Sequence, residues 1–206
     1  MNASATGIPM HPPDGSAHLF DPGTLCLELL TTGGPDELAR FETLHGPGGL
    51  CAWMRACRLR LDPADVRVGE GDVAGARRLR DALLRVTRAA ARGLALPGED
   101  VAEINRYAAE PPLVPQLGPD GTASWAAPAD ASRVLSTVAR DAVALFTGPH
   151  AHRVRECAAH DCLLLFVDTS RPGKRRWCSM ERCGNRAKVR TLRARRERRG
   201  ASGTSS

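Results

Sequence analysis

Four of the seven cysteines fall into two pairs of identical spacing, Cys157-x4-Cys162 and Cys178-x4-Cys183, with 15 residues between the pairs. Two short knuckles brought together by a hairpin would converge four sulfurs on one point. Four thiolates at about 2.3 Å are the tetrahedral shell that zinc prefers. With sulfur in every position no coordination site is left for water, so the chemistry expected is one structural Zn2+ rather than a catalytic one. Ordinary buried thiols or two disulfides are the alternatives. The paired spacing favours metal, because the first 20 residues hold no basic residue and no long apolar run. No secretory leader is therefore expected, and a cytoplasmic location would keep the thiols reduced. His160 sits inside the first knuckle, but four thiolates already complete the shell, so it reads as a solvated loop residue. Cys26, Cys51 and Cys57 have no paired partner and read as small buried hydrophobes.

Charge is concentrated where these cysteines lie. From Arg171 to Arg199 there are 13 Lys and Arg against Glu181 and Glu197, a net +11, which leaves −5 for the rest of a chain whose total is +6. An acidic body with a basic end points to a polyanionic partner for that end. On a helix the basic side chains after Cys183 cover nearly the whole circumference, with only Ala187, Val189, Leu192 and Ala194 for apolar contact. Such a helix gains little from packing and should project. The candidate nucleic-acid contacts are Arg171, Lys174 and Arg175 before the second knuckle, and Asn185, Arg186, Lys188, Arg190, Arg193, Arg195 and Arg196 along the helix. Asn185 could read an adenine edge and Arg186 a guanine edge. Equally, Asn185 could fix the knuckle by a hydrogen bond, and Arg186, with Arg155, Arg176 and Arg182, could offset the thiolate charge.

The elements that must position these residues follow from the apolar pattern. Residues 1–20, rich in Pro, Gly, Ser and His, read as a loose arm. Leu25–Leu30 is apolar but too short to separate helix from strand. Leu50, Trp53, Met54, Cys57 and Leu61 fall at helical spacing up to Asp62-Pro63, and Ala76, Leu79, Leu83, Val86 and Ala90 form the stripe of a second helix. Val101, Ile104 and Tyr107 mark a shorter one. Leu113–Leu117 and Thr122–Trp125 flank a Gly-Pro-Asp-Gly turn, a β-hairpin pattern. Asp130 can cap a helix with the stripe Val134, Val138, Leu145 and Phe146, ended by Gly148-Pro149. Beyond that, Leu164–Val167 and Lys174–Trp177 read as a hairpin around the turn 168–173, and Ser179 can cap a helix holding Cys183 in its first turns. The fold class expected is α+β. A mostly helical domain with a small β-hairpin spans 21–149, and a treble-clef-like four-cysteine zinc finger with a basic C-terminal helix spans 150–199. The two should fold independently, and a polar tail over 200–206 should lack structure.

At Cys183-Gly184-Asn185-Arg186 the sequence resembles the CGNR-type zinc-finger family. The likeness runs from about Val154 to Arg196 and includes both cysteine pairs, Asp168-Thr169-Ser170, Trp177-Cys178-Ser179 and Arg186-Ala187-Lys188. More loosely, the preceding body resembles the domain that accompanies this finger in a family described as putative stress-induced transcription regulators. That resemblance implies transcriptional regulation. The family tends to begin Leu-Asp-Phe-Val-Asn-Thr; the matching stretch here is Leu27–Thr32, with Glu28 for the acid and Thr31 for the asparagine.

The function expected is a zinc-dependent, DNA-binding transcription regulator whose N-terminal domain senses a small-molecule effector or mediates association, for example as a homodimer. The alternative is an RNA- or ribosome-binding accessory protein using the same basic module. An enzyme is not expected. A nuclease on such a finger needs an acid or His array around an open metal position, and Leu163–Trp177 contains no His while Asp168 stands alone. Phosphate loop, nucleophile elbow and membrane span are all absent from the pattern.

Overall fold

The computed structural model describes residues 7–10 and 17–201. It opens with two short strands, β1 (Ile8–Met10) and β2 (His18–Phe20), paired antiparallel with Ile8 opposite Phe20. The arm expected to be loose is tied down, because two of its large apolar residues have somewhere to go: Ile8 is buried in the main core and Phe20 beside the cysteines. Residues 1–6 and 11–16 lie outside the described residues.

The apolar run after Thr24 resolves as a helix, α1 (Leu25–Leu29), continued by a 3-10 turn over Leu30–Thr32. All five residues of α1 are buried, Glu28 among them. α2 (Pro47–Ala56) is shorter than its sequence stripe suggests. The chain turns extended at Cys57 and takes a positive φ of 49° at Arg60, yet Cys57 and Leu61 stay buried. The apolar spacing there records burial, not continued helix.

β3 (Val66–Arg67) then leads to α3 (Glu70–Ala91) and α4 (Gly98–Ala108). A Gly-Pro-Asp-Gly turn closes the hairpin of β4 (Pro115–Leu117) and β5 (Ala123–Trp125), with Pro115 opposite Trp125. β6 (Ala129–Asp130) pairs parallel with β3 and starts α5 (Ala131–Thr147). Asp130 does not cap α5 with its side chain; it instead accepts from Arg67 Nε at 2.9 Å, across the β3–β6 bridge. α3, α4 and α5 pack together over α1, as their apolar stripes require.

The C-terminal part is built from β7 (Val154–Glu156), β8 (Leu165–Val167) and α6 (Asn185–Ala201). β8 pairs antiparallel with β7, Val154 opposite Val167, and not with Lys174–Trp177, which forms no strand. The first knuckle is thus the turn of this hairpin. Period-two alternation along β8 sends Leu165 and Val167 into the helical core and Phe166 to the other face, among the cysteines. The core therefore does not stop at Gly148-Pro149. Val154, Leu165 and Val167 belong to the same apolar cluster as Leu27, Leu83 and Val138. Arg92 of α3 adds an ion pair to Glu156 of β7 at 2.6 Å. α6 runs to Ala201, into the segment expected to lack structure, and residues 202–206 lie outside the described ones.

Candidate metal centre and its basic helix

The two knuckles meet. One ligand atom from each of Cys157, Cys162, Cys178 and Cys183 lies within 4.8 Å of every other. Cys162 Sγ is 3.7 Å and Cys183 Sγ 3.4 Å from Cys178 Sγ. A tetrahedron with zinc–sulfur bonds of about 2.3 Å has edges of about 3.8 Å, so the spacing suits zinc. None of the seven cysteines is in a disulfide.

Protonation makes the same point. Sulfur hydrogen bonds from Cys162 and Cys178 hold the Cys157 thiol far below its ordinary range, and those same contacts push Cys162 and Cys178 upward. Four sulfurs this close cannot all ionise unless a cation sits among them. Burial pushes Cys26 well above its normal value and Cys57 up to about 12, as inert core residues.

The backbone explains how the sequence builds the cluster. Cys157 N–H donates to Leu164 O at 3.0 Å, which extends the β7–β8 ladder to the first ligand, and Ala158 N–H donates to Arg176 O at 2.9 Å, which pins the second segment beside it. Cys178 N–H donates to Cys157 Sγ at 3.4 Å. Ser179 makes no side-chain cap; Gly184 N–H instead donates to Ser179 O at 3.0 Å, closing a wide π turn over Met180–Gly184 that carries Cys183 into α6. A Cβ on Gly184 would come within 2.9 Å of the Met180 thioether and 3.4 Å of the Trp177 ring. The glycine of the tetrapeptide thus allows two side chains to close over the last ligand.

Two aspartates outside the set of candidate site residues prove central. Asp168, fully buried, accepts from Ser170 N–H at 2.9 Å and Arg175 N–H at 2.8 Å, and so shapes the loop between β8 and the second knuckle. Its Asp-x-Ser spacing was the available clue. Asp161, inside the first knuckle, pairs with Arg186 at 3.1 Å and Arg190 at 3.2 Å and clamps the start of α6 to that knuckle.

Several candidate nucleic-acid residues therefore work within the finger. Arg175 lies 4.2 Å over the Phe166 ring, donates to Trp177 O at 3.0 Å and also donates to Cys178 O. Arg186 donates to Cys183 Sγ at 3.3 Å, where a positive group offsets thiolate charge. Arg190 also reaches the exposed ring of His160, which stays clear of the sulfurs. Asn185 donates to Glu181 O at 3.1 Å and remains exposed. Arg155 donates to His152 O and Val154 O, Arg176 lies over the Trp177 ring, and Arg182 meets His18. Arg171, Lys174, Lys188 and Arg193 are exposed. Arg195 and Arg196 fall on α6 beyond the last side chain described.

The stretch Leu27–Thr32 is structural at its acid. Glu28 accepts from Arg58 Nε at 3.0 Å and Arg58 N–H at 2.8 Å, while the Arg58 guanidinium also binds Gly23 O. Burial pushes the Glu28 carboxyl up against these contacts. Thr31 donates to Glu28 O at 2.7 Å.

Two family models match the chain. ABATE, described as a putative stress-induced transcription regulator, covers residues 23–149, and the CGNR zinc finger covers residues 153–196. No curated protein matches. Among the described residues no helix is long and apolar enough to cross a membrane.

Proposed function

The chain belongs to the ABATE family and ends in a CGNR zinc finger, and on that premise we propose that it is a zinc-dependent, DNA-binding transcription regulator acting in the cytoplasm. One Zn2+ would be held by Cys157, Cys162, Cys178 and Cys183 in a purely structural role, with no catalysis at the site. The observation that carries this reading is the junction at Cys183: the last sulfur of the cluster leads directly into a helix that is basic along its length. Metal would thereby fix the direction in which that charge is presented to phosphates.

Arg171, Lys174, Lys188 and Arg193 are the exposed candidates for phosphate contact, joined by Arg195 and Arg196 on the distal helix. Asn185 can leave its helix carbonyl for a base edge at small cost. Arg175, Arg186 and Arg190 support the geometry rather than the contact. The N-terminal body would sense a small effector or mediate association. Retardation of duplex DNA and of structured RNA by the zinc-loaded protein, in competition, is the test. Preference for the duplex supports the proposal, and preference for RNA overturns its DNA half.

A further inference from the structure

A cavity of about 590 Å³ lies between the helical body and the zinc finger. That is within the range of roughly 300–1,000 Å³ typical of small-molecule sites. Its walls come from three parts of the chain: β1 and β2, the 30–56 region of the body, and both knuckles of the finger. Ile8, Met10, Leu38, Phe41, Trp53 and Leu164 make most of the lining apolar. Thr31 and Thr32, from the stretch in which the family asparagine is replaced, also face it.

The polar groups on the wall are unequal in a telling way. Both acids are already engaged: Glu42 accepts from Arg80 Nη1 at 2.9 Å and Leu44 N–H at 2.8 Å, and Asp161 is held by Arg186 and Arg190. The donors are not all engaged. Arg186 Nε and His18 Nε2 are buried and have no hydrogen-bond partner among the described residues. His18 Nδ1 lies 3.3 Å from Arg182 Nη1. A guanidinium N–H can only donate, so Nδ1 accepts and the ring proton sits on Nε2. Both orphaned atoms are therefore N–H donors, and a buried donor without an acceptor is costly. Arg40, exposed at the rim, adds a further positive charge.

We propose that this cavity binds a small molecule with an apolar body and a single carboxylate, the carboxylate accepting from His18 and Arg186. The inference rests on the sensing half of the proposed function and names its site and ligand class. Because the walls come from body and finger alike, the ligand would touch both at once.

The test uses the full-length, zinc-loaded protein and three probes of one chain length, octanoate, 1-octanol and octylamine, read by quenching of tryptophan emission, with Trp53→Phe assigning the signal. Octanoate should bind saturably and at least about tenfold more tightly than octanol, a gap of about 1.4 kcal/mol, with octylamine weakest. His18→Leu should bring octanoate down to the level of octanol, and His18→Gln, which keeps a donor, should retain the preference. Equal binding of acid and alcohol, preference for the amine, or no saturable binding of octanoate overturns the proposal. DNA retardation measured on the same sample without probe keeps the two readings apart. Retardation with no octanoate binding sinks the cavity proposal alone, and octanoate binding without retardation sinks only the DNA-binding half.

Discussion

At the scale of single residues, arginines of one basic segment separate into two kinds. Arg175 stacks on Phe166 and donates to the carbonyls on either side of the Trp177–Cys178 bond, whereas Arg171 and Lys174, close by in sequence, are exposed. Arg175→Ala should therefore destabilise the finger by about 1–3 kcal/mol, seen as faster zinc loss to a chromogenic chelator. Arg171→Ala and Lys174→Ala should leave chelator kinetics unchanged and weaken nucleic-acid binding. Equal effects of all three on zinc retention would contradict the division. The sequence could place all of these charges but could not sort them, because sorting depends on which backbone carbonyls and rings the fold brings within reach. The four ligands were legible for the opposite reason. Their spacing is fixed by coordination geometry, which belongs to the metal and varies little between folds.

At the scale of elements, the long periodic segments α3, α4 and α5 were readable because each buries one stripe against its neighbours. The short ones were not. β7 and β8 are three residues each, and their pairing is decided by the first knuckle turning the chain back on itself, with Cys157 N–H bonded to Leu164 O. A composition-based reading of residues 1–20 missed β1 and β2, since only Ile8 and Phe20 among many Pro, Gly and Ser carry the burial. Phe20 is 1% exposed and packs with Phe166, Cys157, Cys178 and Cys183, so the N-terminal hairpin is part of the metal centre's apolar shell. Phe20→Ala should cost about 3–5 kcal/mol, the usual range for a buried phenylalanine, and should accelerate zinc release although the residue lies far from every ligand in sequence. A variant that unfolds normally yet loses zinc no faster than the parent would show that the hairpin shields nothing.

At the scale of the whole molecule, body and finger share an apolar core through Val154, Leu165 and Val167, a coupling that the Gly148-Pro149 break conceals in the sequence. Chelating the zinc should thus lower the thermal stability of the helical body as well as the finger, followed by circular dichroism of the helices. Residues 20–148 expressed alone should melt well below the full chain. A fragment as stable as the full protein would mean that the shared core contributes nothing.

The central claim, that zinc orients a basic helix toward DNA phosphates, is most directly tested by the affinity of the zinc-loaded protein for duplex DNA across a range of salt concentrations. If about five basic groups contact phosphates, the logarithm of affinity should fall with the logarithm of salt at a slope of about −4 to −5. Alanine at Arg193, Arg195 and Arg196 should flatten it on all sequences alike, and removal of zinc should abolish tight binding. Absence of salt-dependent binding to either DNA or RNA by the zinc-loaded protein would contradict the account.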